Sequence, residues 1–538
     1  MNEKQPVYVL PENVSRTIGR DAQRNNILAA KIISEIVKTT LGPKGMDKML
    51  VDSTGQTIVT NDGVTILEEM EIEHPAAKMM VEIARTQEEE VGDGTTTAVL
   101  LAGKLLENGE KLLDKNIHPT VIVKGYRMAA EKAIQILHDV SMPLNDKSIL
   151  EKIAQTAMTG KGAEGNKEML SELVVKAVEQ IAEGKNANLE DVKIEKVRGG
   201  SVGDSELIHG IVLDKERANN EMPTYIQDSK ILLTDVALEL RNPEAEAKIS
   251  VSTPEQLESF IKSEENYLKE LTNKIINSGA NVVFCQKGID DVAQYYLAKA
   301  GIFACRRITR DDMVKLARAT GGKILSNLND LTQSAGILGK AEIVEEIKRG
   351  DEGLTYVRGC DNPRAVTIVL RGGTSHVVDE IERAVKDGLG DVIAAVKSGK
   401  IVAGGGAVEI EVSSRLRAYA RTLSGREQLA VEEFANAMES VPEALAENAG
   451  LDPIDVLTEL KKRHESALYN HGLNLFRNEI EDTFLAGIIE PLKVKTQALR
   501  SASEVATMIL RIDDVLISSG RSSENQRASK SRMQYEMD

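Results

Sequence analysis

The feature that most constrains this chain is the loop Gly92-Asp93-Gly94-Thr95-Thr96-Thr97, in which glycines flank an acid and three hydroxyl residues follow. Apolar residues recur at helical spacing directly after it, so we expect the loop to open a helix. A helix start presents unpaired N–H groups and partial positive charge, and glycine lets an anion approach the backbone closely. The loop is therefore either a cradle for nucleotide phosphates, with Mg²⁺ on Asp93, or a capped helix start without a ligand.

Two more glycine-bearing turns lie upstream of this loop. Residues 21–38 have the pattern of an amphipathic helix that ends at Leu41-Gly42-Pro43. Asn61-Asp62-Gly63 follows two segments, Lys48–Val51 and Thr57–Thr60, that we expect to pair as a hairpin. Each turn alone is ordinary, but their clustering with two acids indicates a phosphate site. The predicted buried stripe of the helix is Ile27, Leu28, Ile32, Ile33, Ile36 and Val37.

Strands and helices alternate in the middle of the chain, which predicts an α/β arrangement. We expect a strand over 281–285 and helices over 292–300 and 311–319. Before them, Thr253-Pro254-Glu255-Gln256 has the form of a capping box with proline at the first helical position. It predicts a helix of about 25 residues, long for a globular domain. The apolar stripe of this helix is Leu257, Phe260, Ile261, Leu268, Leu271 and Ile275.

Three later segments bear on function. Thr159-Gly160-Lys161-Gly162 places a lysine between glycines, where its ammonium either reaches a phosphate or is simply solvated. A strand over 366–370 precedes a helix that we expect to end near Asp387, and Gly404-Gly405-Gly406 opens another helix. Residues 518–538 lack periodicity, which is typical of disorder. The residues expected to face inward on the helix before Asp387 are Val377, Val378, Ile381, Ala384 and Val385.

Composition excludes several function classes. The 538 residues carry a net charge of −17, which argues against binding to nucleic acid or to anionic membrane surfaces. The three cysteines form no CxxC pair, so we expect neither a disulfide framework nor a structural zinc site, as in a reducing cytoplasm. The histidines have no metal-binding spacing, residues 1–14 lack a signal-peptide core, and no apolar run reaches membrane-spanning length.

Taken together, the motifs resemble one family, the group II chaperonins of archaea, and the resemblance covers about residues 9–517. Each motif is weak alone, but their order along the chain is specific. The motifs are Leu41-Gly42-Pro43-Lys44-Gly45-Met46-Asp47, Thr60-Asn61-Asp62-Gly63, Gly92-Asp93-Gly94-Thr95-Thr96-Thr97, Thr159-Gly160-Lys161-Gly162, Gly404-Gly405-Gly406-Ala407-Val408-Glu409 and Val494-Lys495-Thr496-Gln497.

The resemblance implies a multidomain fold of α+β and α/β type. A mostly helical equatorial ATPase domain would combine 1–147 with 403–517. A small α/β intermediate domain would combine 148–216 with 367–402. An α/β apical domain, 217–366, would bind substrates and carry a helical protrusion near 242–279, and 518–538 would form a disordered tail.

The resemblance also implies an ATP site with Mg²⁺. Asp93 would hold the metal, Asp387 would position and deprotonate the attacking water, and Asp62 would act beside it in the second phosphate loop. Lys161 would sense the γ-phosphate, and Glu490 would contact the ribose. The other residues matched to nucleotide contacts are Leu41, Gly42, Pro43, Asn61, Gly63, Gly94, Thr95, Thr96, Thr97, Gly405, Gly406, Gly472, Leu473 and Asn474.

The function implied is that of a cytoplasmic, ATP-driven protein-folding machine. Copies of the chain, or paralogous subunits, would form two stacked rings of eight or nine, closed over unfolded proteins by the built-in lid. A small-molecule kinase and a ring scaffold without hydrolysis are the alternatives. Two features depart from the family pattern: Gly388 stands where alanine is frequent, and the end of the chain, 521–538, is polar where a Gly-Met-rich tail is common.

Overall fold

The structure is a computed structural model, and it describes residues 14–51, 55, 57–162, 164–239, 254–332, 336–349 and 352–518. This part of the chain holds sixteen α-helices. In chain order they are α1 Gly19–Lys38, α2 Gly63–Glu69, α3 Pro75–Val91, α4 Thr95–Asp114, α5 Pro119–Val140, α6 Ser148–Met158, α7 Lys167–Ile181, α8 Pro254–Asn277, α9 Asp291–Lys299, α10 Arg310–Thr320, α11 Ser375–Ser398, α12 Ala407–Ala420, α13 Glu427–Met438, α14 Ser440–Asn448, α15 Pro453–Glu465 and α16 Leu492–Ile509.

The same described residues contain nineteen β-strands. They are β1 Val14–Ile18, β2 Lys48–Val51, β3 Thr57–Thr60, β4 Met142–Pro143, β5 Val192–Arg198, β6 Glu206–Ile208, β7 Gly210–Leu213, β8 Tyr225–Thr234, β9 Val282–Cys285, β10 Phe303–Cys305, β11 Ile324–Leu325, β12 Gly339–Arg349, β13 Glu352–Arg358, β14 Val366–Gly372, β15 Lys400–Ala403, β16 His471–Asn474, β17 Glu479–Asp482, β18 Ile489–Pro491 and β19 Asp514–Ser518.

The chain divides into two compact units, and its two ends contribute to the same one. The first unit takes its described residues from Met1–Ser141, Val402–Ile488 and Leu492–Asp538, and the second from Met142–Ile401 and Ile489–Pro491. The finer division into three domains, with the boundaries given above, stays a prediction.

The first unit is mainly helical, and its described residues form a large apolar core. Residues from α1, α3, α4, α5, α12, α13 and α16 contribute to that core. Tyr126 packs edge-on against Phe434 with ring centroids 5.6 Å apart, and its hydroxyl donates to the Leu105 carbonyl. Strands β2 and β3 pair antiparallel over the predicted residues, while residues 52–54 of the turn lie outside the described part. β1 pairs antiparallel with β19, which joins the two ends of the described chain.

The second unit is built around β-sheets. Its largest sheet has the strand order β10-β9-β8-β12-β13-β7, with β11 beside β8. The predicted α/β alternation is present, because β9 and β10 are parallel neighbours and α9 and α10 follow them in sequence. A smaller sheet places β14 between β5 and β6, parallel to the first and antiparallel to the second.

Helix α8 confirms the prediction of a long helix at Pro254. Its second half is amphipathic, since Leu268, Leu271 and Ile275 are buried, and the last two belong to an apolar cluster of the second unit. The described side chains of its first half are mostly exposed. Thr253 of the capping box and the side chains of Leu257, Phe260 and Ile261 lie outside the described part.

Two predicted buried stripes are wrong in part. Leu28 and Ile32 of α1 are 56% and 51% exposed, whereas Ile27 and Ile33 are buried. Val377 of α11 is 42% exposed, while Val378 is buried. In each case the predicted stripe is wider than the face of the helix that packs against the rest of its unit. Apolar residues also occur beside that face, where they remain exposed.

The predicted end of α11 near Asp387 is also wrong. The helix continues through Gly388 and Gly390 to Ser398, so Asp387 lies in its middle. Glycine normally weakens a helix interior, but this part of α11 is buried. A Cβ built on Gly388 would lie 2.7 Å from Met158 Cε of α6. The glycine therefore permits close packing of α11 on α6, and this packing offsets its poor helix propensity.

The three cysteines are free thiols and buried. Burial raises the pKa of Cys285 to about 11 and the pKa values of Cys305 and Cys360 to about 12. Among the described residues, no helix combines the length and the hydropathy needed to cross a membrane.

A buried ion-pair cluster fastens helices of the first unit around Glu439. Its carboxylate accepts from the Ser413 hydroxyl at 2.9 Å, from Arg417 at 2.5 Å and from Lys461 at 2.8 Å. Burial by itself raises the pKa of Glu439, but the hydrogen bonds and charges of Lys461 and Arg417 outweigh it and hold this pKa below its ordinary value. The cluster therefore stabilises the fold when Glu439 is ionised.

We expect Glu439→Gln to lower the free energy of unfolding by about 1–3 kcal/mol at pH 7, because a charged hydrogen-bonding group is lost. The pKa of Glu439 is depressed in the folded state, so its stabilisation is present above the unfolded pKa and disappears as the pH falls through the folded pKa. Denaturant titrations at pH 7 and at pH 4 measure this difference. Glu459→Gln, at an exposed pair with Arg463, is the control, and an equal loss in both variants would contradict the prediction.

Candidate functional site

Two of the predicted phosphate loops lie side by side in the first unit. Asn61-Asp62-Gly63 leads into α2, and Gly94 precedes α4. A Cβ built on Gly63 would lie 2.6 Å from Thr96 Oγ1 and 3.4 Å from Thr95 Oγ1. Only glycine permits this approach, so the two helix starts and the threonine hydroxyls form one surface.

The start of α4 is suited to an anion. Its N-cap residue is Gly94, with φ of 78°, and glycine has no side-chain oxygen with which to cap the first N–H groups. The alternative interpretation of this loop, a helix start capped by a side chain, therefore does not apply to the N-cap position. Thr95, Thr96 and Thr97 are buried within the first turn of the helix.

Asp93 and Gly94 are held in place by two neighbours, Gln87 and Val494, that were not predicted as site residues. Gln87 of α3 is fully buried, and its Nε2 donates to the Asp93 carbonyl at 2.9 Å and to the Val494 carbonyl at 3.2 Å. A Cβ on Gly94 would lie 2.8 Å from Val494 Cγ1. Val494 belongs to a motif that carried the family resemblance, but Gln87 had no signal beyond its position on a predicted helix.

Asp62 caps α2. Its Oδ2 accepts from the Thr65 N–H at 2.9 Å and from the Thr65 hydroxyl at 2.7 Å, while its own N–H donates to the Thr60 hydroxyl. These bonds fix the carboxylate beside Asn61 and Gly63, and they occupy one of its two oxygens. The catalytic role assigned to Asp62 stays a prediction.

The turn at Leu41 is clamped from α14. Asn448 Nδ2 donates to the carbonyls of Lys38 and Leu41 at 3.0 and 2.9 Å. A Cβ on Gly42 would lie 2.5 Å from Leu445 Cδ2 and 3.5 Å from Leu475 Cδ1. The turn that includes Pro43 therefore packs beside the end of β16.

The glycine run before α12 meets the same strand. Leu473 N–H donates to the Gly405 carbonyl at 2.8 Å, and a Cβ on Gly472 would lie 2.6 Å from the Gly404 carbonyl oxygen. Gly406 is the N-cap of α12. The structure thus brings Leu41–Pro43, Gly405–Gly406 and Gly472–Asn474 together as one group in the first unit.

Asn474 uses its side chain within its own hairpin. Its Nδ2 donates to Glu481 Oε1 at 2.6 Å, and its Oδ1 accepts from the N–H groups of Phe476 and Arg477. These bonds hold the β16–β17 turn, and the nucleoside contact assigned to Asn474 stays a prediction.

The remaining three predicted residues lie in the second unit. Lys161, in the loop after α6, forms an ion pair with Asp387 of α11, and both side chains are largely buried. Glu490 lies on β18, where the Ile489 N–H donates to the Thr156 hydroxyl of α6 at 3.3 Å. Three elements position these residues: the Lys161 loop follows α6, Asp387 lies on α11, and Glu490 lies on β18. The three elements contact one another.

The donor set of the first unit fits a Mg-nucleotide. Mg²⁺ is usually held by one or two carboxylates together with phosphate oxygens and water, so the Asp93 carboxylate is sufficient as the protein ligand. The uncapped start of α4 and the threonine hydroxyls are donors suited to phosphate oxygens. Among the described residues, no group of three His, Cys, Asp or Glu side chains lies close enough to hold a metal ion by itself.

Comparison with known proteins agrees with these observations. The profile of the TCP-1/cpn60 chaperonin family matches residues 33–519. A thermosome subunit beta of Archaeoglobus fulgidus is 57% identical over 522 residues, covering 96% of this chain and 95% of that protein. A thermosome subunit of Methanopyrus kandleri is 55% identical over 516 residues, covering 95% and 94%.

A solved structure is similar as well. The open-state monomer of a group II chaperonin from Methanococcoides burtonii superposes with a TM-score of 0.58 at 47% identity, covering 78% of this chain and 100% of that chain. The resemblance drawn from the motifs and the predicted fold class, multidomain α+β and α/β, are confirmed. The chain belongs to the TCP-1/cpn60 chaperonin family and is an ATP-dependent chaperonin of the archaeal thermosome type.

Proposed function

We propose that this chain itself binds Mg-ATP in its first unit and hydrolyses it to drive protein folding. The observation that carries the proposal is the convergence of Asn61–Gly63 with Gly94–Thr97 at the uncapped start of α4. Backbone N–H groups and hydroxyls bind the phosphates there, and Asp93 holds Mg²⁺. The metal, when bound, neutralises the charge that develops on the transferred phosphoryl group.

The side chains for hydrolysis come from the second unit. Asp387 orients the attacking water and accepts its proton on a carboxylate oxygen. Lys161, its ion-pair partner, binds the γ-phosphate, so the pair separates when the nucleotide is engaged. Neither charge is left exposed to bulk water between cycles, because both side chains are largely buried.

The nucleoside lies against the second group of residues. Leu41–Pro43, Gly405–Gly406 and Gly472–Asn474 supply backbone surface for it, and Glu490 accepts from the ribose hydroxyls. Glycine at these positions lets the three segments pack closely on one another, since a Cβ on Gly42, Gly405 or Gly472 would lie 2.7 Å or less from a neighbouring atom.

The assembly and the substrate proteins that we propose are those implied by the family. We propose that copies of this chain or of paralogues form two stacked rings of eight or nine, and that the rings enclose unfolded proteins in the cytoplasm. The first half of α8, with its exposed side chains, forms the lid. Neither a small-molecule kinase nor a scaffold without hydrolysis gains support from the relatives.

We expect Asp93→Ala to weaken Mg-nucleotide binding by about tenfold or more, because the metal loses its protein ligand while the phosphate donors remain. Isothermal titration with a non-hydrolysable ATP analogue, with Mg²⁺ and with EDTA, measures the change. Asp139→Ala, an exposed acid of the first unit, is the control. Unchanged affinity in the presence of Mg²⁺ would remove Asp93 from the metal site.

We expect Asp387→Asn to slow hydrolysis by about 10²–10⁴-fold, the usual contribution of a general base. The ground-state contacts to Mg²⁺ and phosphates stay in place, so nucleotide affinity should change little. Single-turnover hydrolysis and analogue binding are measured together. Asp379→Asn is matched, since Asp379 also lies on α11 and pairs with a lysine, Lys196, at 2.8 Å. Normal turnover in Asp387→Asn would refute the assignment.

Replacing residues 242–262 with a Gly/Ser linker should abolish enclosure and keep ATP hydrolysis. The replacement must stop before Leu268, because Leu271 and Ile275 belong to the apolar core of the second unit. The measurement is protease protection of a bound unfolded protein in ATP with a phosphate mimic. Glu258→Ala, which removes only an exposed pair with Lys262, is the control. Protection equal to wild type in the linker variant would show that this segment is not the lid.

A further inference from the structure

The candidate site of the first unit consists of two groups that different elements carry. The phosphate group is formed by the starts of α2 and α4, and the nucleoside group by the Leu41 turn, the start of α12 and β16. A nucleotide contacts both groups at once, so its affinity depends on the distance between them. The first turn of α16, which carries Val494 and Lys495, contacts both.

One contact of α16 is with the phosphate group. The Val494 carbonyl and the Asp93 carbonyl accept from the same amide nitrogen, Gln87 Nε2. The Val494 side chain also packs against the Gly94 backbone, on the side where another residue would carry its Cβ. The Asp93–Gly94 backbone is thus fastened to Val494 on one side and to α3 on the other.

The other contact of α16 is with the nucleoside group. Lys495 Nζ lies 2.9 Å from Glu409 Oε1, and the two side chains are 9% and 2% exposed. Glu409 is in the first turn of α12, three residues after the N-cap residue Gly406. Its second oxygen, Oε2, is buried without a hydrogen-bond partner among the described residues. The Lys495 ammonium therefore balances the negative charge of the Glu409 carboxylate, which is almost completely removed from water.

We propose that the Lys495–Glu409 ion pair is a positioning device that sets the spacing between the phosphate and the nucleoside groups of the site. The inference rests on the proposed ATP site and adds two residues to which that proposal gives no role. Neither residue touches the nucleotide in this account. The pair acts through Val494, which precedes Lys495, and through the first turn of α12, which joins Glu409 to the N-cap residue Gly406.

The location of the pair distinguishes this role from simple stabilisation. Ion pairs elsewhere in the first unit provide the comparison. Glu107 pairs with Lys104 of its own helix at 3.2 Å and lies in the second half of α4. Loss of such a pair lowers stability without moving α12 relative to α4. Loss of the Lys495–Glu409 pair releases the start of α12 from α16 and therefore changes the span that the nucleotide has to match.

The test compares Glu409→Gln, Lys495→Met and the double variant Glu409→Gln/Lys495→Met with Glu107→Gln. The double variant carries no unpaired buried charge, so it remains informative if a single variant folds poorly. Thermal unfolding and the Kd values of Mg-ADP, adenosine and Mg-tripolyphosphate are measured in the full-length protein. Adenosine probes the nucleoside group alone, and tripolyphosphate probes the phosphate group alone.

We expect the double variant to bind Mg-ADP about tenfold more weakly, as when a residue that orients direct ligands is lost. Its affinities for adenosine and for Mg-tripolyphosphate should each stay within about twofold of wild type, because each group remains intact. Glu107→Gln should lose stability and keep all three affinities. Unchanged Mg-ADP affinity in the double variant, or equal losses for all three ligands, would overturn the inference.

Failure of the inference is distinguishable from failure of the proposed function. If Asp93→Ala weakens Mg-ADP while the double variant does not, the positioning role is wrong and the ATP site stands. If Asp93→Ala also leaves the Mg-ADP affinity unchanged, the metal site assigned to Asp93 is wrong, and the inference is overturned with it.

Discussion

The start of α4 is the constraint on which the rest of this account depends. A helix has orphan N–H groups at its first turn, and here the N-cap residue is Gly94, which cannot satisfy them with a side chain. The surrounding residues preserve that arrangement. Gly63 makes room for Thr96, Gln87 holds the Asp93 carbonyl, and Val494 covers Gly94. An anion is the natural partner of such a site.

The local elements of this chain were largely readable from sequence, because short-range patterns determine them. The hairpin of β2 and β3 formed over the predicted residues, and α8 begins at the proline that was expected to start it. The errors came from tertiary packing. Leu28 and Val377 are apolar but exposed. The spacing of apolar residues shows which face of a helix is apolar, but not how much of that face neighbouring elements cover.

The loops of the candidate site could be predicted from the sequence, but the side chains that hold those loops in place could not. Glycines, acids and threonines in short motifs marked Asp62, Asp93 and the Gly405 turn. Gln87 holds the Asp93 loop and Asn448 holds the Leu41 turn, each through a backbone carbonyl. Both lie on helices, and nothing in a local pattern distinguishes them from other helical amides. The pairing of Lys161 with Asp387 likewise joins positions far apart in sequence, so only the fold reveals it.

The two units divide the proposed work. The first holds the predicted phosphate loops on a buried helical core, whereas the second holds Lys161, Asp387 and the exposed half of α8. The proposed general base, γ-phosphate sensor and lid thus belong to one unit, which suits a machine in which the state of the nucleotide controls closure. Asp387 lies in the stretch of α11 that packs closely on α6 at Gly388.

The central claim is that the start of α4 binds the nucleotide phosphates. The most direct measurement is a structure of the assembled protein with Mg²⁺ and a non-hydrolysable ATP analogue, determined by electron microscopy. The account predicts phosphate density bounded by Gly63 and the Thr95–Thr97 turn, with a metal at about 2.0–2.1 Å from an Asp93 carboxylate oxygen. Nucleotide density elsewhere in the first unit, with the α4 start unchanged and Asp93 free of metal, would contradict it.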